Sequence, residues 1–95
     1  MRERILLIED DIEFLNLTQT WLQNSGYEVL TAEDGVEGMR RVFSSRPNLV
    51  LLDANIPKMD GWEVCRRIRD MSDIPVMMVT VNDQKDSRLR GFNRH

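Results

Sequence analysis

The sequence predicts an open α/β sheet, with parallel strands and helices on both faces. Three observations carry that prediction. Short, wholly apolar runs recur, at Ile5–Ile8, Leu49–Leu52 and Val76–Val79. Such runs suit strands buried on both faces, as parallel strands between helices are. Amphipathic helical patterns alternate strictly with them, giving the order βαβαβαβα. Finally, two of the runs stop at acids, Glu9-Asp10-Asp11 and Asp53, and carboxyl strand ends are where an open sheet of this kind places its chemistry.

Each element has its own justification. Ile5–Ile8 runs into the acidic triplet, where Asp10 and Glu13 have capping-box spacing and open a first helix. Phe14, Leu15, Leu17, Trp21 and Leu22 are its predicted inner face. Gly26 ends it as a left-handed cap, and Tyr27–Ala32 is a second strand. Asp34 and Glu37 repeat the capping spacing. They open a second helix with Val36, Met39, Val42 and Phe43 inward, ended by Pro47. After the Leu49–Leu52 strand a loop passes Pro57. Asp60 and Glu63 then cap a third helix that buries Val64, Cys65, Ile68 and Met71. Pro75 precedes a fourth strand over Val76–Val81. A fourth helix follows, capped by Asn82 or Asp83, with Leu89 and Phe92 inward.

Composition narrows the function classes. The chain has 95 residues, 41% hydrophobic and 31% charged, with a formal net charge of -3. This length makes one domain. The acidic balance gives no footprint for nucleic acid. Arg40-Arg41, Arg66-Arg67-Arg69 and Arg88–Arg94 read as solvated helix faces. No apolar run exceeds four residues, so neither a signal peptide nor a membrane span is expected. Cys65 is the single cysteine and forms no internal disulfide, which fits a cytoplasmic setting.

If the first and third strands are neighbours, Glu9, Asp10 and Asp53 converge. Three close carboxylates repel, so one keeps a proton or a cation neutralises them. Oxygen donors without His or Cys suit a hard ion, and an open site with few ligands suits Mg²⁺ better than Ca²⁺. Such a Mg²⁺ site typically serves phosphate chemistry. The Thr80 hydroxyl, at the same rim, is placed to hydrogen-bond a phosphoryl oxygen. Met77 and Met78 read as core, Cys65 as buried filler, Trp62 as packing at the start of the third helix, and His95 as a terminal residue without a role.

These residues together resemble the receiver domain of two-component response regulators. The first strand with its acidic pair (Ile5–Asp11), the loop from Asp53 through Asn55, Pro57 and Lys58 to Asp60-Gly61, and the strand Ile74–Thr80 carry the likeness, across about residues 4 to 90. Gly61–Arg69 further resembles the branch with winged-helix transcription-factor output. The resemblance implies a flavodoxin-like sheet, order 2-1-3-4 for the strands present. It implies Asp53 as phosphoacceptor from a sensor histidine kinase, and Mg²⁺ held by Glu9, Asp10, Asp53 and the backbone carbonyl of Asn55. Thr80 would be the switch hydroxyl. A DNA-binding effector domain would follow in a longer parent chain. An enzyme in the ordinary sense is not implied, beyond self-phosphorylation and autodephosphorylation with Mg²⁺.

The sequence departs from the family pattern in three ways. The family's fifth strand, with its lysine followed by proline, and its fifth helix have no counterpart. Neither Lys58 nor Lys85 matches that lysine by position. Residues 1–95 therefore read as a single, incomplete receiver domain, by truncation or by internal deletion. The fourth strand becomes an edge, which predicts self-association, such as a homodimer. Val81, where the family has a small residue, either narrows access to Asp53 or is chosen for strand packing. Two other functions compete. One is an interaction module with the fold but not the phosphorylation switch. The other is a Mg²⁺-dependent phosphohydrolase, which the Asn at position 55 disfavours because it lacks an acid two residues after the nucleophile.

Overall fold

The computed structural model describes residues 2–54, 56 and 60–79. The elements are β1 (Arg4–Ile8), α1 (Ile12–Asn24), β2 (Glu28–Ala32), α2 (Gly35–Ser45), β3 (Leu49–Asp53), α3 (Gly61–Met71) and β4 (Val76–Val79). The strands form one sheet in the order β2-β1-β3-β4, and every pairing is parallel. Expectations about Asn55, Pro57, Lys58, Thr80, Val81, the fourth helix and His95 lie outside the described residues.

Two apolar layers hold the sheet. On one face Leu6, Ile8, Val50 and Leu52 pack with Val42 of α2 and Val64, Cys65 and Ile68 of α3. On the other, Ile5, Leu7 and Val29 pack with Leu15 and Leu22 of α1. The alternation along each strand sends neighbouring residues to opposite layers. Leu7, Leu51 and Met77 share the α1 face through the strand register. There Leu51 is only partly buried and Met77 is 54% exposed. Among the described residues β4 is one edge of the sheet.

The helices' inner stripes are narrower than the sequence predicts. Leu17 and Trp21 are each 67% exposed, and Phe14 is only partly buried. Successive helical residues turn by ~100°, so the stripe set by Leu15 and Leu22 leaves Leu17 and Trp21 outside it. In α2, Val36 and Phe43 also point to solvent. The buried positions are Gly35, Gly38 and Val42, with Met39 packed alongside. A Cβ on Gly38 would collide with the Ile8 side chain, so this glycine lets α2 lie close to β1. Inward positions in α3 agree with the expectation: Val64, Cys65 and Ile68 are buried and Met71 packs against them. Trp62, expected to pack, is 64% exposed.

Helix ends also differ in detail. The N-cap of α1 is Asp11 rather than Asp10, and its Oδ1 accepts from Phe14 N at 3.2 Å. Asp34 caps α2 as expected, accepting from Glu37 N at 2.9 Å. Asp60 precedes α3 but makes no side-chain cap bond. Glu63, expected to complete that cap, is engaged by Arg66 and Arg67. Gly26 takes φ 102° just past α1, the left-handed turn that suits glycine.

Candidate functional site

Register brings the acids together. Ile8 pairs with Leu52 across β1 and β3, so Glu9 and Asp53, each one residue further on, leave the sheet side by side. Backbone bonds pin both ends. Glu9 N donates to Ala32 O at 3.0 Å, and Ala54 N donates to Val79 O at 3.0 Å. Because Asp11 serves as the helix cap, Asp10 sits in the turn before it. One carboxylate oxygen from each of Glu9, Asp10 and Asp53 can be chosen so that all lie within 4.8 Å of one another. Glu9 and Asp53 are buried, while Asp10 is exposed. The cluster thus has two buried carboxyls and one open flank.

The electrostatics of Glu9 are unusual. Its Oε2 accepts from Asp11 N at 3.0 Å, whereas the buried Oε1 accepts no hydrogen bond among the described residues. Burial pushes its pKa up to about 7, against the lowering effect of the Asp11 amide. The adjacent Asp53 carboxyl adds to the rise through charge and a shared proton. A shared proton bonds two carboxyls only while one is neutral, so it leaves the ionised pair unsatisfied. A buried oxygen without a donor, beside two further carboxylates, is a donor set a hard cation would complete. The residues fit Mg²⁺ in number and kind.

Sequence reasoning named all three acids but missed Asp11 N as the donor to Glu9. The acidic triplet was the available signal, since a cap at its third residue frees the second for the site. The groove of about 480 Å³ lined by Val42, Phe43, Met71, Ile74 and Pro75 lies at the other end of the sheet, where β3 and β4 begin. It shares no residue with the acids.

Comparison with known proteins agrees with the fold described above. The alkaline phosphatase synthesis transcriptional regulatory protein PhoP of Bacillus subtilis is 36% identical over 93 residues, covering 97% of this chain and 39% of that protein. The DNA-binding dual master transcriptional regulator RpaA of Synechocystis is 39% identical over 93 residues, covering 95% of this chain and 39% of that protein. This chain therefore spans about two fifths of the length of these relatives. The response regulator TrrA of Thermotoga maritima, solved in complex with Mg²⁺-BeF, matches with a TM-score of 0.80 at 33% identity. That match covers 95% of this chain and 76% of that one. Chemotaxis response regulator CheY4 of Vibrio cholerae matches with a TM-score of 0.79 at 29% identity, over 90% of this chain and 77% of that one. Residues 5–95 match the family described as the response regulator receiver domain, and the chain belongs to that family.

Proposed function

We propose that this chain accepts a phosphoryl group on Asp53 from a sensor histidine kinase, with Mg²⁺ held by Glu9, Asp10, Asp53 and the backbone carbonyl of Asn55. What supports this reading most is the convergence of three carboxylates at the ends of β1 and β3, with a buried Glu9 oxygen that lacks a donor. In the reaction an Asp53 carboxylate oxygen attacks the phosphorus of a phosphohistidine. The P–N bond breaks, its electron pair stays on the imidazole, and an acyl phosphate forms. Mg²⁺, when bound, supplies a hard positive charge against the phosphoryl oxygens. Glu9 and Asp10 hold that charge in place, and the Asp11 amide orients Glu9. Thr80 is assigned the hydrogen bond to the phosphoryl group and the switch that reads it.

Under this reading residues 1–95 work as a single receiver domain. The protein is a cytoplasmic signalling component whose parent chain carries a DNA-binding effector, in line with PhoP, a transcriptional regulatory protein, and RpaA, a DNA-binding transcriptional regulator. Incubation with a small phosphodonor such as acetyl phosphate and Mg²⁺, followed by intact mass, tests the acceptor role. A gain of one phosphoryl group, lost on chelation of Mg²⁺ before the donor is added, is the expected result. No gain in the wild-type chain would leave the fold without the acceptor function.

A further inference from the structure

The start of α3 comes close to the main chain that directly follows Asp53. Gly61 is the first residue of that helix and is buried. A Cβ built on it would lie 2.6 Å from both Cα and O of Ala54, and 2.8 Å from Ala54 C. Those distances are far inside van der Waals contact, and the atoms met are main chain, which cannot swing aside as a side chain does. Ala54 directly follows Asp53, and its carbonyl belongs to the peptide leading to Asn55. The helix caps sharpen the point. Asp11 and Asp34 hold the starts of α1 and α2 by side-chain bonds, but Asp60 makes none. Among the described residues, the position of α3 relative to β3 therefore rests on core packing and on this close approach.

We infer that Gly61 is a positioning residue for the acidic site: its missing side chain lets the α3 backbone lock the Ala54 peptide, and so sets where the Asp53 carboxylate stands relative to Glu9 and Asp10. A side chain at position 61 must displace one of the two contacting segments. Moving α3 would disturb Val64 and Ile68, both 0% exposed in the core. Ala54 lies one residue past its strand, and its N–H donates to Val79 O. The Ala54 peptide gives way, and the strand end carrying Asp53 turns with it. Gly38 provides the contrast. The three atoms nearest a Cβ there all belong to the Ile8 side chain, so the strain falls first on a core side chain rather than on the main chain beside Asp53.

This inference rests on the metal reading above and deepens it. The test is Mg²⁺ titration of the wild-type chain and of the Gly61→Ala and Gly38→Ala variants, by calorimetry and by amide NMR, with thermal unfolding measured alongside. Groups that orient metal ligands typically change affinity by about 10–100-fold when mutated. Gly61→Ala is expected to weaken Mg²⁺ binding by at least about tenfold on that scale, while Gly38→Ala loses stability but keeps its affinity within about twofold. Unchanged Mg²⁺ affinity in folded Gly61→Ala overturns the inference, whatever its stability. An equal loss in both variants overturns it as well, because it would report general loosening. Should Gly61→Ala fail to fold, the wild-type titration decides. The Gly61 amide must shift with the same midpoint as the Ala54 amide, and a silent Gly61 amide refutes the coupling. Absence of any Mg²⁺ response in the wild-type chain would instead overturn the metal reading itself, and this inference with it.

Discussion

Glu9 and Asp53 stand side by side because Ile8 and Leu52 are register partners on adjacent parallel strands. Both are buried, and one Glu9 oxygen faces no donor among the described residues. Two buried carboxyls this close are costly when both are ionised. The pair thus costs the metal-free chain stability whenever both carboxyls are ionised.

The first prediction concerns pH. Burial and Asp53 raise the Glu9 pKa from 4.5 to about 7 in the folded chain. Below about pH 4.5 this carboxyl is neutral in both states. Between about 4.5 and 7 the folded chain keeps a proton that the unfolded chain has released. Without metal, the Glu9 contribution should therefore make stability decline as pH rises through that window and level off above it. Glu9→Gln should flatten this slope and stabilise the metal-free chain above pH 7 by about 1–2 kcal/mol, on the scale of an unsatisfied buried group. It should also weaken Mg²⁺ binding. Urea unfolding at several pH values measures the slope, and identical slopes in the two chains would contradict the assignment.

The second concerns the acceptor. Asp53→Asn should abolish labelling by acetyl phosphate, since the amide is no nucleophile. Asp60→Asn should label as the wild type does, because Asp60 is exposed and outside the acidic cluster. Peptide mapping of the labelled chain decides between them, and label persisting in Asp53→Asn would refute the site.

The third concerns the caps. Asp34→Ala removes the acceptor for Glu37 N and should cost about 0.5–2 kcal/mol of stability. Asp60→Ala removes no cap bond and should stay within about 0.5 kcal/mol, as ordinary surface changes do. Equal losses in denaturant melts would show that Asp60 does cap α3.

The fourth concerns the inner faces of the helices. Ile68→Ala empties a fully buried site and should cost about 2–5 kcal/mol. Trp21→Ala, despite the larger side chain, should change stability by no more than about 0.5 kcal/mol, because Trp21 is 67% exposed. A large loss for Trp21→Ala in the same melts would mean that α1 is rotated from the position described.

Much of this was already present in the chain's local pattern. Short unbroken apolar runs bounded by turn residues suit buried strands, although Met77 in the third run is 54% exposed, and alternation with helices leaves parallel pairing as the short connection. The acids at the ends of Ile5–Ile8 and Leu49–Leu52 were legible for the same reason, since a carboxylate at the end of a buried run has nowhere to be but the rim. Tertiary structure alone decided three things. It set the rotation of each helix, because periodicity gives a face but not its edges. Leu17, Trp21, Val36 and Phe43 fall outside stripes that glycines or smaller contacts define. It chose Asp11 over Asp10 as the cap, which a triplet of acids leaves open and which releases Asp10 to the site. It also revealed Gly61 against Ala54. A glycine's spacing in sequence says nothing about which main chain it lets approach, because that depends on how two distant segments are packed.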